Sequence, residues 1–429
     1  MAITKRNVIL GATAALVATV AVTGAGMRFS QSQAFFKESP KELIDEVWQI
    51  INRQYVDGTF NQVDWRSVRN EYLNKSYSND QEAYEAIREM LKKLDDPYTR
   101  FMDPEAFKNM QIDTSGELTG VGIQITKDAK TDEIVVIAPI EDTPASKAGI
   151  MSKDVIVSID GKTTKGMDVN DAVKLIRGKP NTSVTLTIKR GKEQIDYKLL
   201  RQLIEIHPVR ARVESTPEGK VGYIRLTQFS AQASEEMQKA IEELEKEQVP
   251  GYILDLRSNP GGLLYSSVEI AQMWIPEGKI VSTVDRVGEV EAHKANHTAL
   301  TDKPLVVLVD GGSASASEIL SGALQDNKRA VIVGTRTFGK GLVQSVRGLG
   351  DGSGLAVTIA KYLTPKGTDI NKHGIDPDVE SAMSEEQVKD LVSDRTQIGT
   401  IKDPQFSKAL EVLEQQINAK KGTATQAAK

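Results

Sequence analysis

Three serines alternate with alanines in Ser313-Ala314-Ser315-Ala316-Ser317, directly after an apolar strand, Leu305 to Val309, and a glycine turn, Asp310-Gly311-Gly312. A serine in the first turn of the helix that follows has its hydroxyl beside unpaired backbone N–H groups and the positive end of the helix dipole. For Ser315, the N–H of Ala316 would point at an oxygen on a carbon under attack, which is half of an oxyanion hole. A hydroxyl becomes a nucleophile only when a base takes its proton. None of the four histidines (His207, His293, His297 and His373) lies in this stretch. The candidate base is Lys340, held between Gly339 and Gly341 after a second apolar strand, Ala330 to Gly334. Burial disfavours the ammonium and leaves an amine that accepts a proton near neutral pH. Leu342-Val343-Gln344 reads as strand, which would put Lys340 and Gln344 on one face. An uncharged amide there orients the amine without raising its pKa as a carboxylate would.

Residue types alone leave other uses open. Ser315 and Glu318 also make a capping box, the ordinary work of a serine at a helix start. Spacing does not decide which of the three serines reacts. Gly334-x4-Gly339-Lys340 imitates a phosphate-binding loop, but Gly341 stands where the Mg²⁺-holding hydroxyl belongs and strand rather than helix follows. Asp326, 11 residues after Ser315, falls near the same helix face but roughly 16 Å along the axis. It therefore reads as a structural partner of Lys328 or Arg329.

These residues must be carried by a chain of 429 residues, long enough for two or three domains, with 39% hydrophobic and 26% charged residues. A net charge of −5 argues against nucleic acid. The absence of cysteine removes thiol catalysis and thiolate metal sites. His293 and His297, the one close pair, lack the glutamate of a zinc-protease helix and read as a solvated loop. Residues 1–34 read as a signal peptide or membrane anchor: Lys5-Arg6, an uncharged stretch from Val8 to Met27, then Ser32-Gln33-Ala34 before Phe35. Helical spacing runs through Leu43, Val47, Ile50 and Ile51, and again through Ala83, Ile87, Met90 and Leu91. Leu94-Asp-Asp-Pro-Tyr98-Thr-Arg-Phe101 reads as a helix stop and a turn with no catalytic role.

The run Gly311-Gly-Ser-Ala-Ser315-Ala-Ser-Glu-Ile319, the lysine 25 residues after Ser315 within Phe338-Gly-Lys340-Gly, and the glutamine four further on resemble the carboxyl-terminal processing proteases, also called tail-specific proteases. That resemblance implies a Ser/Lys dyad: Ser315 as nucleophile, Lys340 as general base and Gln344 as its support. The turn Ser258-Asn259-Pro260-Gly261-Gly262 matches the family's second glycine turn, so Gly261 N–H would join Ala316 N–H in the oxyanion hole. Residues 113–203 resemble a PDZ domain, which holds a terminal carboxylate in a nest of N–H groups. Here the nest would be Thr119, Gly120, Val121, Gly122 and Ile123. Lys153 departs from the glycine usual in that domain and is expected to alter only a turn. Arg177 stands where the family can place a substrate-sensing arginine, although a positive charge is also favoured at a helix C-terminus.

The resemblance implies a multidomain α+β fold. After residues 1–34 come an N-terminal helical region (35–112), the PDZ domain (113–203), and an α/β catalytic core of open sheet with packed helices, crotonase-like or ClpP-like (204–384). A C-terminal helical region (385–420) and an unstructured tail (421–429) complete the chain. The activity expected is that of an exported serine endopeptidase cutting near the carboxyl terminus of protein substrates bound by their tails, in the periplasm or thylakoid lumen. No metal, other cofactor or nucleic acid is expected, and membrane contact only through an uncleaved N-terminal segment.

Overall fold

The computed structural model describes residues 39–128, 131–140, 142–216, 219–288 and 290–427. The expected targeting segment, 1–34, lies outside them. Among the described residues, no helix is long and apolar enough to cross a membrane.

Three helices, α1 (Pro40–Gln54), α2 (Trp65–Leu73) and α3 (Asp80–Lys92), open the fold. Ser39 caps α1 in a full capping box with Glu42, and Pro40 takes the first helical position, where its missing N–H costs nothing. Their apolar faces meet in one cluster that includes Val47, Ile51, Ile87 and Met90. The same cluster takes in Leu349, Leu355 and Val357 from far along the chain. The next strand, β1 (Arg100–Met102), explains this. After it comes α4 (Pro104–Ser115), which leads into the second unit.

That unit holds β2 (Glu117–Gly120), β3 (Ile123–Lys127), β4 (Ile134–Pro139), α5 (Pro144–Lys147), β5 (Val155–Ile159), β6 (Lys162–Thr163), α6 (Val169–Ile176), β7 (Ser183–Arg190), β8 (Glu193–Leu200) and β9 (Gln202–Glu205). β3 to β8 form one antiparallel sheet whose buried side, Ile134, Ile156, Val184 and Leu186, packs with Ala172 and Ile176 of α6. Lys153 has φ +71°, the left-handed conformation that glycine adopts without cost.

The rest is built on β10 (Val209–Thr216), β11 (Gly219–Leu226), α7 (Ala233–Lys246), β12 (Tyr252–Asp255), α8 (Leu264–Trp274), β13 (Lys279–Asp285), β14 (Val290–Lys294), β15 (Leu305–Val309), α9 (Ala316–Asp326), β16 (Val331–Gly334), β17 (Leu342–Gly348), β18 (Gly354–Leu363), β19 (Val379–Glu380), α10 (Glu385–Ser393) and α11 (Pro404–Ala427). The order β10-β11-β12-β15-β16-β19 makes a six-stranded sheet, parallel except for β10. β12 and β15 are buried at every position, the continuous apolar run of a strand covered on both faces. Helices α7, α8 and α9 cover one face and α11 the other. A second sheet joins β1, β18, β13 and β14, with β17 also paired to β18. The first helical unit thus adds a strand to the hairpin that follows Lys340.

Two expectations change. α11 runs to Ala427 instead of giving way to an unstructured tail after residue 420. Ala, Lys and Gln beyond that point are good helix formers, and Lys420 Nζ is fixed 2.8 Å from Asp302 Oδ2. His293 lies within β14, part-buried, rather than in a solvated loop.

Candidate active site

Ser315 caps α9 with φ +55° and ψ −113°, a conformation that costs a non-glycine residue about 1–3 kcal/mol. Its neighbours explain how the backbone is held there. Ser313 Oγ donates to Leu256 O and accepts from Asp310 N, and Ser317 Oγ donates to Asn259 O. Both flanking hydroxyls are therefore consumed by backbone. The Ser315 hydroxyl instead meets the phenol of Tyr362, a fully buried residue of β18 whose ionisation burial pushes well above the usual range. Structure thus separates the three serines, which spacing could not.

Glu318 does more than complete a cap. Wholly buried, its carboxylate accepts from Ser315 N (2.8 Å), Thr337 Oγ1 (2.6 Å), Gly339 N (2.7 Å) and Lys340 N (2.9 Å). One carboxylate therefore fastens the backbone of Ser315 to that of Lys340. Phe338 N adds a bond to Ser313 O. Gly341 is needed for a close approach rather than a turn: a Cβ there would come within 2.5 Å of Asn371 N.

Burial is the main reason that the Lys340 amine is held below the ordinary lysine value. Arg100 adds to that shift, while Asp96 and Glu318 oppose it. Its Nζ lies 5.0 Å from the centre of the Tyr98 ring. Among the described residues it makes no hydrogen bond or ion pair, with Ser315 or with Gln344. β17 begins only at Leu342, so Lys340 stands two residues ahead of the strand that carries Gln344; burial alternates along β17, and the bulge facing Val343 and Gln344 lies in β18, at Ile359. Gln344 Nε2 is buried without a partner.

The Leu94–Phe101 turn, read as inert, is the wall behind Lys340. Asp96 accepts from Tyr98 N and Thr99 Oγ1, and Thr99 Oγ1 accepts from Thr358 N, the residue paired with Gln344. Nothing local in the sequence signals this, because the contact crosses from one folding unit to another.

On the opposite side, Gly261 has φ +101°, and a Cβ would meet Ala314 O, Ser315 Cβ and Ala316 N within 3 Å. Ala316 N–H is unpaired among the described residues. Gly261 N–H instead donates to Asn259 Oδ1 at 3.0 Å, so it can reach an oxyanion only by leaving that bond. Asp326 pairs with Lys366 (3.2 Å to Nζ, 3.0 Å to the backbone N), not with Lys328 or Arg329. Arg329 is turned to the carbonyls of Trp274 and Thr301.

In the second unit, Thr119 and Gly120 pair with Leu203 and Gln202 of β9, and Ile123 opens β3. Between these strands the N–H groups of Val121 and Gly122 make no hydrogen bond among the described residues. Two adjacent open donors form a concavity suited to an anion. Arg177, at the end of α6, donates to Asn109 of α4.

Comparison with known proteins follows this layout. Residues 220–381 match peptidase family S41, 135–190 a PDZ domain, and 36–92 the Tricorn protease C1 domain. The "Carboxyl-terminal-processing protease" of Synechocystis sp. is 46% identical over 381 residues, 88% of this chain and 87% of that protein. The "Carboxyl-terminal-processing peptidase 2, chloroplastic" of Arabidopsis thaliana is 42% identical over 345 residues, 78% of this chain and 67% of that protein. A solved structure named "Photosystem II D1 C-terminal processing protease" superposes with a TM-score of 0.57 and 39% identity, covering 86% of this chain and all of that one. With a PDZ domain beside an S41 core and relatives of this kind, the chain belongs to the carboxyl-terminal-processing proteases of family S41, serine-type peptidases that cleave proteins.

Proposed function

We propose that this chain is an exported endopeptidase that binds protein substrates by their carboxyl-terminal tails and cuts near those tails with a Ser315/Lys340 dyad. The N–H groups of Val121 and Gly122, within the Thr119–Ile123 turn, take the terminal carboxylate, and Arg177 senses its arrival. Lys340 removes the Ser315 proton as Oγ attacks the scissile carbonyl. The oxyanion rests on Ala316 N–H and Gly261 N–H, each worth roughly 3 kcal/mol in the transition state. Lys340 then passes the proton to the leaving amine. Water, deprotonated by the same amine, frees the acyl group and restores Ser315. Because Nζ is unbonded at rest, its side chain must turn from Tyr98 toward Ser315, where the Gln344 carbonyl oxygen would accept from the amine and leave its lone pair free for the Ser315 proton. The observation that carries this reading is the difference between the three serines: Ser315 alone does not donate its hydroxyl proton to a backbone carbonyl, and Glu318 ties it to the lysine loop.

The direct test is cleavage of a protein ending in small apolar residues by purified enzyme. Ser315→Ala and Lys340→Ala should each lose turnover while keeping the fold by circular dichroism. Full activity in Lys340→Ala would end the dyad proposal. Likeness to chloroplast and cyanobacterial enzymes supports a lumenal or periplasmic precursor as substrate. Comparing protein termini in cells with and without the enzyme would identify it.

A further inference from the structure

The carboxyl ends of the parallel strands border a cavity of about 950 Å³ that includes neither Ser315 nor Lys340. This edge is where open α/β sheets take ligands. Its wall carries Arg210, Arg212, Arg225 and Arg257 against one acidic side chain, Asp310. Most of this charge is already answered. Arg257 is locked between Asp255 and Asp403. Arg212 pairs with Glu214, donates to the carbonyls of Ile398 and Gly399, and stacks on Tyr223. Asp310 is occupied by Ser258 N, Ser258 Oγ and Gly312 N.

Arg225 is the exception. Its guanidinium makes no hydrogen bond among the described residues. Its ion pair among the described residues is with Asp255 Oδ2, at 3.5 Å, and that oxygen already accepts from Arg257 and from the Tyr223 hydroxyl. A part-buried guanidinium with one long ion pair and no hydrogen bond keeps donors open for a ligand. Arg210 stands directly opposite Arg225 across the β10–β11 pair and lines the same cavity. A bound carboxylate would fill the open donors of Arg225. The planar fork of arginine matches a carboxylate, and Asp310 on the same wall disfavours a more highly charged ligand.

The cavity also adjoins the turns that flank Ser315. Ser258 lines it, and Gly261 of the same turn lies against Ser315. Asp310 lines it and opens the loop that ends at Ser315, while Gln124 of β3 forms part of the facing wall. We infer that this cavity is a subsite for an acidic residue of the polypeptide substrate, with Arg225 taking the aspartate or glutamate carboxylate. This rests on the tail-binding peptidase reading above, and names a preference within it.

The test uses full-length enzyme and peptides with a common small apolar tail, in which Glu or Gln is walked residue by residue upstream. At one or two positions Glu should raise kcat/KM about tenfold over Gln. Arg225→Gln should bring that ratio to about one, and Arg225→Lys, which keeps charge but loses the fork, should leave an intermediate ratio. Equal rates for Glu and Gln at every position in the wild type would overturn the inference, as would an Arg225→Gln variant that slows both peptides equally. Calorimetric titration of inorganic phosphate supplies a second arm. Phosphate binding that Arg225→Gln abolishes, without any Glu preference, would make this a free-anion site and also overturn it. If the wild type cuts neither peptide, the peptidase reading fails instead. Anisotropy of the same labelled peptides on Ser315→Ala would then still read the Glu-over-Gln ratio on its own.

Discussion

Glu318 shows how much one side chain can settle. Its four donors come from the backbone of Ser315 and from the loop that carries Lys340, so the separation of the two proposed dyad residues is set by one rigid carboxylate. Glu318→Gln keeps the shape but turns one acceptor oxygen into an NH₂ that faces two donors. Hydrogen bonds to a buried charged group are worth about 1.5–3 kcal/mol each, so stability should fall by roughly 2–4 kcal/mol in urea titrations. kcat should fall more than KM changes, because the tail-binding turn is untouched; a change in KM alone would mean that Glu318 does not position the dyad. Ser315 and Glu318 were legible in the sequence as a cap and its partner three residues on. The three donors from Thr337, Gly339 and Lys340 were not, because a local reading of helix ends cannot see a loop that returns from the neighbouring strand. Gln344 was read on a period of two from Lys340, but the strand that carries it begins only at Leu342.

At the scale of elements, the strands, helices and glycine turns of the catalytic sheet followed from apolar periodicity, since β12, α9 and β15 each carry a pattern that only one environment satisfies. The turn between α3 and β1 was misjudged because its role depends on which distant hairpin β1 joins. Pairing with β18 places Tyr98 and Arg100 beside the Lys340 amine. These two act on it in opposite senses. Arg100 disfavours the ammonium, so Arg100→Gln should raise the Lys340 pKa. In the proposed dyad the neutral amine is the active form, so the acid limb of kcat/KM should move to higher pH. The Tyr98 face attracts the ammonium, with about 0.5–1 kcal/mol at stake, so Tyr98→Leu should move the limb to lower pH by about half a unit. Tyr98→Phe retains the ring and should leave it near the wild type. pH profiles of the three variants would decide, and an Arg100→Gln limb moving downward would remove Lys340 as the titrating base.

Across the whole molecule, the units are held together with unequal strength. The C-terminal helix is locked to the catalytic sheet through the buried Asp255–Arg257–Asp403 group, where burial alone would raise the Asp255 carboxyl but Arg257, then Arg225, hold it at about 2. The first helices share a core with β17 and β18. The PDZ unit has weaker side-chain ties to the rest: Lys174 to Glu105, both about half exposed, and Arg177 to Asn109, all between α6 and α4. Such contacts contribute at most about 1 kcal/mol each. A unit held so lightly can shift when a tail occupies its nest, and Arg177 lies where an arriving carboxylate would compete with Asn109. If this position restrains the enzyme, releasing both ties in Glu105→Gln/Asn109→Ala should raise hydrolysis of a short peptide without a tail by about three- to tenfold, the limit set by roughly 1–1.4 kcal/mol. Cleavage of a tailed protein should change less, because the tail already releases Arg177 in the wild type. An unchanged rate on the short peptide would mean that the PDZ unit only tethers substrates and that α4 is a spacer.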